Sequence, residues 1–453
     1  MNEKKKTLIF AAAAVLLALV AMVTAPRRVT PSAFFDQGEP FFPNFTDPNS
    51  AVSLEVIDFN AETGEPLPFK VVFEKDKWRI PSHHDYPADN KDQLAQIAAG
   101  VITLRKDEFR TDNVADHAAC GVLDPLDESN PNLEGRGQRI IIRGENDQVL
   151  ADLIVGKKVP EKEGFRFVRL PDQKRVYAAK MDLKISTKFS DWIDTDLLKV
   201  KKNDITQVTL KDYSINEMTG TVRQRDVLVL TKEGNTWKAN HMKSNQKVDI
   251  NKMNQLLRAV DELSIVGVRP KPAGLSASLK KSEGGIKITR AAMASLQSKG
   301  YYFSRDGNLL SNEGEMQVRT KDGVVYTLRF GEVAYGRGLE VTAGNDSVEQ
   351  AHKGPAENRY LFITTYFNEK QFKEPPKPAN TDFLNKADSL WTDADHRNKT
   401  LYDAHQKWEE KVEKGRKLSE DLNNRFADWY YVISDASFKK LKLKRSDLVV
   451  KKK

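Results

Sequence analysis

The chain has 453 residues, 39% of them hydrophobic and 30% charged, which is too long for one ordinary core and too apolar for disorder throughout. Its 72 basic residues against 64 acidic ones leave a net charge of +8, an excess spread too thinly to predict a nucleic-acid-binding face. The lone cysteine, Cys120, excludes an intramolecular disulfide framework and a multi-cysteine metal site.

Lys4, Lys5 and Lys6 precede an uncharged run from Thr7 to Ala25. As a helix this run would be ~28 Å long, close to the ~30 Å hydrocarbon core of a bilayer. The lysines favour a cytoplasmic amino terminus. An uncleaved membrane anchor over residues 1–25 is therefore expected, held in the inner membrane through residues 7–25, with the body on the extracytoplasmic or periplasmic side. A cleaved signal peptide is the alternative, and Pro26 opposes cleavage after Ala25. Residues 26–50 read as a linker, because Pro26, Pro31, Pro40, Pro43 and Pro48 interrupt regular structure. Its phenylalanines, Phe34, Phe35, Phe41, Phe42 and Phe45, are expected to tuck against the first domain or rest at the membrane surface. Docking to a partner is the sharper alternative.

A first α+β unit is expected over residues 51–200. Alternation in Val52–Val56 and Phe69–Phe73 predicts strands, and Asp76-Lys77 turns the chain toward Trp78. Asn90 caps a helix carrying Leu94, Ile97, Ala98, Val101 and Leu104. After Gly121, a hairpin from Ile141 to Gly156 turns at Asn146-Asp147. A second hairpin joins Phe165–Arg169 to Arg175–Ala179 through Pro171-Asp172.

The same order recurs over residues 201–450, so the second half is expected to be a tandem repeat of the first. Trp237 answers Trp78, and Met253, Leu256, Leu257, Val260 and Leu263 answer the first helix at the same offset. Gly274-Leu275 answers Gly121-Val122, and Met316–Gly331 aligns without gaps on Ile141–Gly156. The copies then diverge. Tyr360–Thr365 and Trp429–Ile433 should be neighbouring strands, but a long insertion, residues 375–428, separates them. It opens on Pro375, Pro376 and Pro378, and Thr392 with Asp395 caps a long helix. Leu401, Trp408, Val412, Leu422 and Phe426 form an apolar stripe on that helix. Such a stripe packs on its own domain or serves as a partner contact, and these five residues are the candidate contact.

Chemistry-bearing clusters are sparse. His83-His84-Asp85 is the densest, but adjacent histidines on an extended chain point to opposite sides and suit a loop better than a metal site. His117 and Cys120 could form a nucleophilic pair only if a third group oriented them. The motifs of serine hydrolases, phosphate loops and dinucleotide sites are not present. The basic tail, with Lys439, Lys440, Lys442, Lys444, Arg445 and Lys451–Lys453, could meet anionic lipid or be a solvated end.

Trp78, Tyr86-Pro87-Ala88-Asp89, the helix, Gly121-Val122-Leu123-Asp124-Pro125, Ile154-Val155-Gly156 and Val176-Tyr177 occur in an order that resembles a bacterial family built on a domain of unknown function. The resemblance implies membrane-anchored, extracytoplasmic members, often encoded beside gliding-type ABC transporter auxiliary subunits. Its motifs are structural, so it carries over no catalytic, cofactor or metal residue. The expectation is a non-enzymatic accessory or scaffold protein with protein partners in an envelope or transporter complex, no cofactor and no nucleic acid. An envelope-polymer or peptide binder is the alternative. A hydrolase is third, with His83, His84, His117 and Cys120 as its first residues to test.

Overall fold

The computed structural model describes residues 11–20, 36–89, 91–160, 162–183, 185–216, 219, 221–280, 289–304, 306–336, 342–343 and 357–452. The chain divides into two compact units, one of Met1–Phe73 with Lys91–Thr187, the other of Glu74–Asn90 with Lys188–Lys453. Residues 11–20 are helical. The rest of the expected 7–25 anchor, Asn90 as a helix cap, and Phe34 and Phe35 of the linker lie outside the described residues. No helix among the described residues is long and apolar enough to cross a membrane.

In chain order the strands are β1 (Ser53–Asn60), β2 (Glu65–Glu74), β3 (Lys77–Ile80), β4 (Tyr86–Pro87), β5 (Glu108–Thr111), β6 (Gln138–Arg143), β7 (Val149–Lys158), β8 (Phe165–Arg169) and β9 (Val176–Lys180). Then come β10 (Ile205–Asn216), β11 (Thr221–Glu233), β12 (Thr236–Ala239), β13 (Gln246–Val248), β14 (Gly267–Pro270), β15 (Tyr301–Phe303) and β16 (Leu309–Ser311). The last are β17 (Glu315–Thr320), β18 (Val324–Ala334), β19 (Asn358–Phe367), β20 (Trp429–Ser434) and β21 (Val449–Lys451). The helices are α1 (Lys91–Ile102), α2 (His117–Cys120), α3 (Ile250–Asp261), α4 (Ala273–Lys280), α5 (Arg290–Gln297), α6 (Asp393–Ala427), α7 (Asp435–Leu441) and α8 (Arg445–Leu448). The class is α+β, with antiparallel sheets.

In the first unit the strands run β2-β1-β6-β7-β8-β9-β5. The turn between β6 and β7 falls where the sequence predicts it, with Asn146 and Asp147 both at positive φ. Helix α1 buries Leu94, Ile97, Ala98 and Val101, four positions spaced to share one face. The linker's later part is tied down here. Phe41 and Phe45 are buried, with Phe41 edge-on to Tyr177 at 5.3 Å. Asp36 accepts from the Lys106 ammonium (3.1 Å), the Arg175 guanidinium (3.2 Å) and the Tyr177 hydroxyl.

In the second unit the main sheet runs β12-β11-β10-β17-β18-β19-β20-β14. From β11 onward each strand has a counterpart of the same rank and direction in the first unit. Even the irregularities match. Val155 pairs with Val168, and the next pairing is Lys158 with Arg166. In the second unit Phe330 pairs with Leu361, and the next is Val333 with Arg359. Each bulge holds a glycine, Gly156 or Gly331, whose carbonyl accepts from an arginine on the neighbouring strand, Arg166 (2.7 Å) or Arg359 (2.9 Å). A carbonyl from the end of a short helix lies so close over each glycine, Cys120 O over Gly156 and Lys299 O over Gly331, that a Cβ would clash with it. The residue after that carbonyl is a glycine at positive φ, Gly121 or Gly300. Gly300, and not Gly274, shares these features with Gly121. Gly274 lies inside α4, where a Cβ would meet nothing closer than 3.8 Å.

Residues 74–90 pack into the second unit through aromatic stacking. His83 lies flat on Phe189 at 4.1 Å, and Tyr86 meets Phe189 and Trp429 at 5.5 and 4.9 Å. Trp237 is buried, whereas Trp78 is half-buried. Three residues of the basic carboxyl end are in ion pairs: Lys442 with Glu313, Arg445 with Asp226, and Lys439 with Asp435. β21 pairs with β13, so the chain is held up to its last described residues.

Candidate interaction surface

The insertion folds as predicted from its capping signal. The Thr392 hydroxyl accepts from the Asp395 N–H, and the Asp395 carboxylate accepts from the Thr392 N–H, so two otherwise unpaired donors at the helix start are satisfied. The Thr392 backbone N–H, then its hydroxyl, then the Lys386 ammonium hold the Asp395 carboxyl down to about 2. From this cap α6 runs for 35 residues, about 52 Å at ~1.5 Å per residue.

Its inward face is a heptad stripe. Asn398, His405, Val412, Ser419 and Phe426 are buried at every seventh position, with Asp395, Gly415 and Leu422 beside them. Phe426 meets Tyr326 at 6.5 Å and Tyr431 at 6.0 Å. Three of the five expected contact residues, Val412, Leu422 and Phe426, are thus buried, while Leu401 and Trp408 are half-buried. The Trp408 indole donates to the Phe372 carbonyl at 3.3 Å. The apolar stripe is used on the insertion's own unit.

Polar groups fix the register of this docking, and the apolar pattern does not mark them. Asn423 works like a strand residue. Its amide oxygen accepts from the Thr365 N–H (3.0 Å), and its amide nitrogen donates to the Thr365 carbonyl (2.7 Å). The Thr365 hydroxyl donates to the Ser419 carbonyl. Asn398 accepts from the Ala379 N–H and donates to Asn380. His405 lies between Glu374 and Glu409, 3.3 Å from each. Gly415 brings the helix backbone onto the Phe367 ring and the Asp322 carbonyl, where a Cβ would clash. The available sequence signals were the seven-residue spacing and a glycine inside a charged helix, where glycine is otherwise unfavourable.

At the helix's far end Lys271 is buried with its amine donating to the Phe426 carbonyl (2.8 Å), 4.0 Å from the centre of the Phe362 ring. Burial pushes this amine well below the ordinary lysine range. It gives the Phe426 carbonyl a second donor beside the Asp428 N–H, at a helix end where carbonyls lack intrahelical partners.

The outward face carries Lys407, Glu410, Lys414, Lys417 and Asp421, all exposed. Arg416 pairs with Glu369 and Glu413 at 3.3 and 3.6 Å, in exposed contacts that contribute little stability. This mixed-charge ridge and the cap before it are what the insertion offers to a partner.

The histidines weighed for hydrolysis are each hydrogen-bonded to other groups. The His83 ring bonds the Ser82 and Thr342 hydroxyls, and burial depresses its pKa to about 4. His84 bonds the Ala343 carbonyl. His117 bonds the Lys174 carbonyl, and burial raises the Cys120 thiol's pKa, opposite to what an activated nucleophile needs. Among the described residues no group of three or more His, Cys, Asp or Glu is placed to hold a metal ion.

Against known proteins, residues 78–278 match the model of a family described as a domain of unknown function, DUF4340. A DUF4340 domain covers this stretch. It runs from Trp78 on β3 to Ser278 in α4, so it ends before the insertion begins. Comparison with curated proteins finds no match, and comparison with solved structures finds none.

Proposed function

We propose that the protein is a non-enzymatic accessory or scaffold protein, anchored in the inner membrane by residues 7–25. Its extracytoplasmic body would be a tandem duplication, serving an ABC-transporter-type envelope complex. The duplication rests on the matched strand orders and on the two bulges with their glycine, arginine and overlying helix end. The anchor rests on the uncharged run behind three lysines. The DUF4340 domain is compatible with the family that the sequence resembles, and the transporter association comes from that resemblance alone.

The observation that carries the binding reading is that only the second sheet has the insertion, and that the insertion is fastened by side-chain bonds to backbone. A helix held in this way is a rigid platform whose outer surface can be presented at low entropic cost. Because its apolar stripe is spent inward, contact would be made by the outward ridge and the cap.

Chemical cross-linking of the full-length protein in cells, followed by identification of the coupled species, tests this. Coupling to an envelope or transporter subunit through residues 375–428 is expected. A body resistant to added protease in intact spheroplasts would overturn the proposed topology.

A further inference from the structure

The insertion begins with a compact cap formed by residues 382–392. Phe383 is buried, edge-on to Tyr402 (5.6 Å) and Trp391 (5.9 Å). The Trp391 indole donates back to the Lys386 carbonyl at 3.3 Å, which closes the loop, and the Lys386 ammonium is held by Asp395 at 3.0 Å. Two leucines are left outside. Leu390 is 70% exposed, more than any other large apolar side chain among the described residues, and Leu384 is 55% exposed. Each directly adjoins an aromatic of the cap, Leu384 next to Phe383 and Leu390 next to Trp391. The backbone is tied at both, with the Leu384 N–H donating to the Thr381 carbonyl (3.0 Å) and the Leu390 N–H to the Ala387 carbonyl (2.8 Å).

Single exposed apolar residues are ordinary on a protein surface. Two on one braced cap, accompanied by three exposed carboxylates, form a more specific surface. Asp382, Asp388 and Asp393 are exposed in the same eleven-residue stretch and its first helical residue, and none has an ion-pair partner among the described residues. An apolar centre with a charged rim is how docking patches are built, the apolar part supplying affinity and the rim selecting the partner by complementary charge. The acidic rim disfavours an anionic lipid surface.

Building on the accessory reading above, we propose that this cap is the docking knob for a separate protein. That partner's surface offers an apolar depression rimmed by lysine and arginine. Leu384 and Leu390 enter the depression, and Asp382, Asp388 and Asp393 meet the basic rim.

A photoreactive phenylalanine analogue placed at position 384 or 390 of the full-length protein in cells tests this. Position 250 serves as the control, since Ile250 is 49% exposed and lies outside the insertion. The expected result is a cross-link from 384 and 390, and not from 250, to one separate protein, with lysine or arginine in the coupled peptide. Asp382→Lys with Asp388→Lys should lower that yield about tenfold or more. Unchanged circular dichroism and thermal midpoint would show that the variant folds. Coupling to a second copy of this chain or to lipid, no coupling, or a yield indifferent to charge reversal each overturns the proposal. If 384 and 390 are silent while a chemical cross-linker still couples the intact protein to another protein, the knob is refuted and the accessory reading survives. If neither couples, both fail.

Discussion

Gly415 and Phe367 are in contact because one of them has no side chain: a Cβ on Gly415 would overlap the Phe367 ring. The long helix therefore crosses the β18–β19 end at a spacing that only glycine permits. Gly415→Ala raises intrinsic helix propensity by about 1 kcal/mol. In the docked helix the overlap should outweigh that gain, for a net loss of about 1–3 kcal/mol. Urea unfolding of the purified protein reads the sign directly. A stabilised Gly415→Ala variant would mean that the helix does not lie against the sheet.

Asn423 pairs with both backbone groups of Thr365, so its loss leaves a donor and an acceptor unmet. Asn423→Ala should cost about 1–3 kcal/mol, whereas Asn424→Ala, at an exposed neighbouring position, should change stability by less than about 0.5 kcal/mol. Equal effects would remove the register role given to Asn423.

Gly156 and Gly331 make the same prediction in separate places. Each Gly→Ala substitution forces a Cβ onto an overlying carbonyl and should destabilise its own unit by about 1–3 kcal/mol. All six tryptophans lie in the second unit, so tryptophan fluorescence reports that unit alone. Gly331→Ala should shift the fluorescence transition. Gly156→Ala should shift the far-ultraviolet circular dichroism transition more than the fluorescence one.

His83 gives the second unit a dependence on pH. Burial of the neutral ring, followed by the charges of His84 and Arg269, lowers its folded pKa from 6.5 to about 4. Between these values the unfolded chain takes up a proton that the folded chain does not. Stability from this residue is therefore full above about pH 6.5 and is lost as pH falls toward 4, a loss on the order of 3 kcal/mol. His83→Gln should flatten the fluorescence-detected stability over that range. A wild-type profile already flat there would contradict the buried neutral ring.

Much of the strand order was legible because the signals were local. Alternating apolar residues, Asn146-Asp147 at a turn and Thr392 as a cap each act within a few residues. The match of Gly274 to Gly121 failed for the opposite reason. What distinguishes Gly121 and Gly300 is a positive φ and a carbonyl poised over a distant strand, neither of which is a property of neighbouring residues. The contact assignment to Val412, Leu422 and Phe426 met the same limit. Periodicity reveals that a helix has an apolar face, while only the fold decides what covers it.

By itself the sequence determined the α+β alternation, the hairpin turns, the helix caps and the position of the long helix, since propensity, capping and periodicity act over one or two turns of chain. Tertiary structure alone decided that residues 74–90 pack in the second unit, and that His83 is a stacked core ring. It also decided that the long helix spends its apolar stripe inward and leaves Leu384 and Leu390 in water. Those outcomes depend on burial between segments tens to hundreds of residues apart, where the free energy belongs to the pair and neither partner's local sequence encodes it.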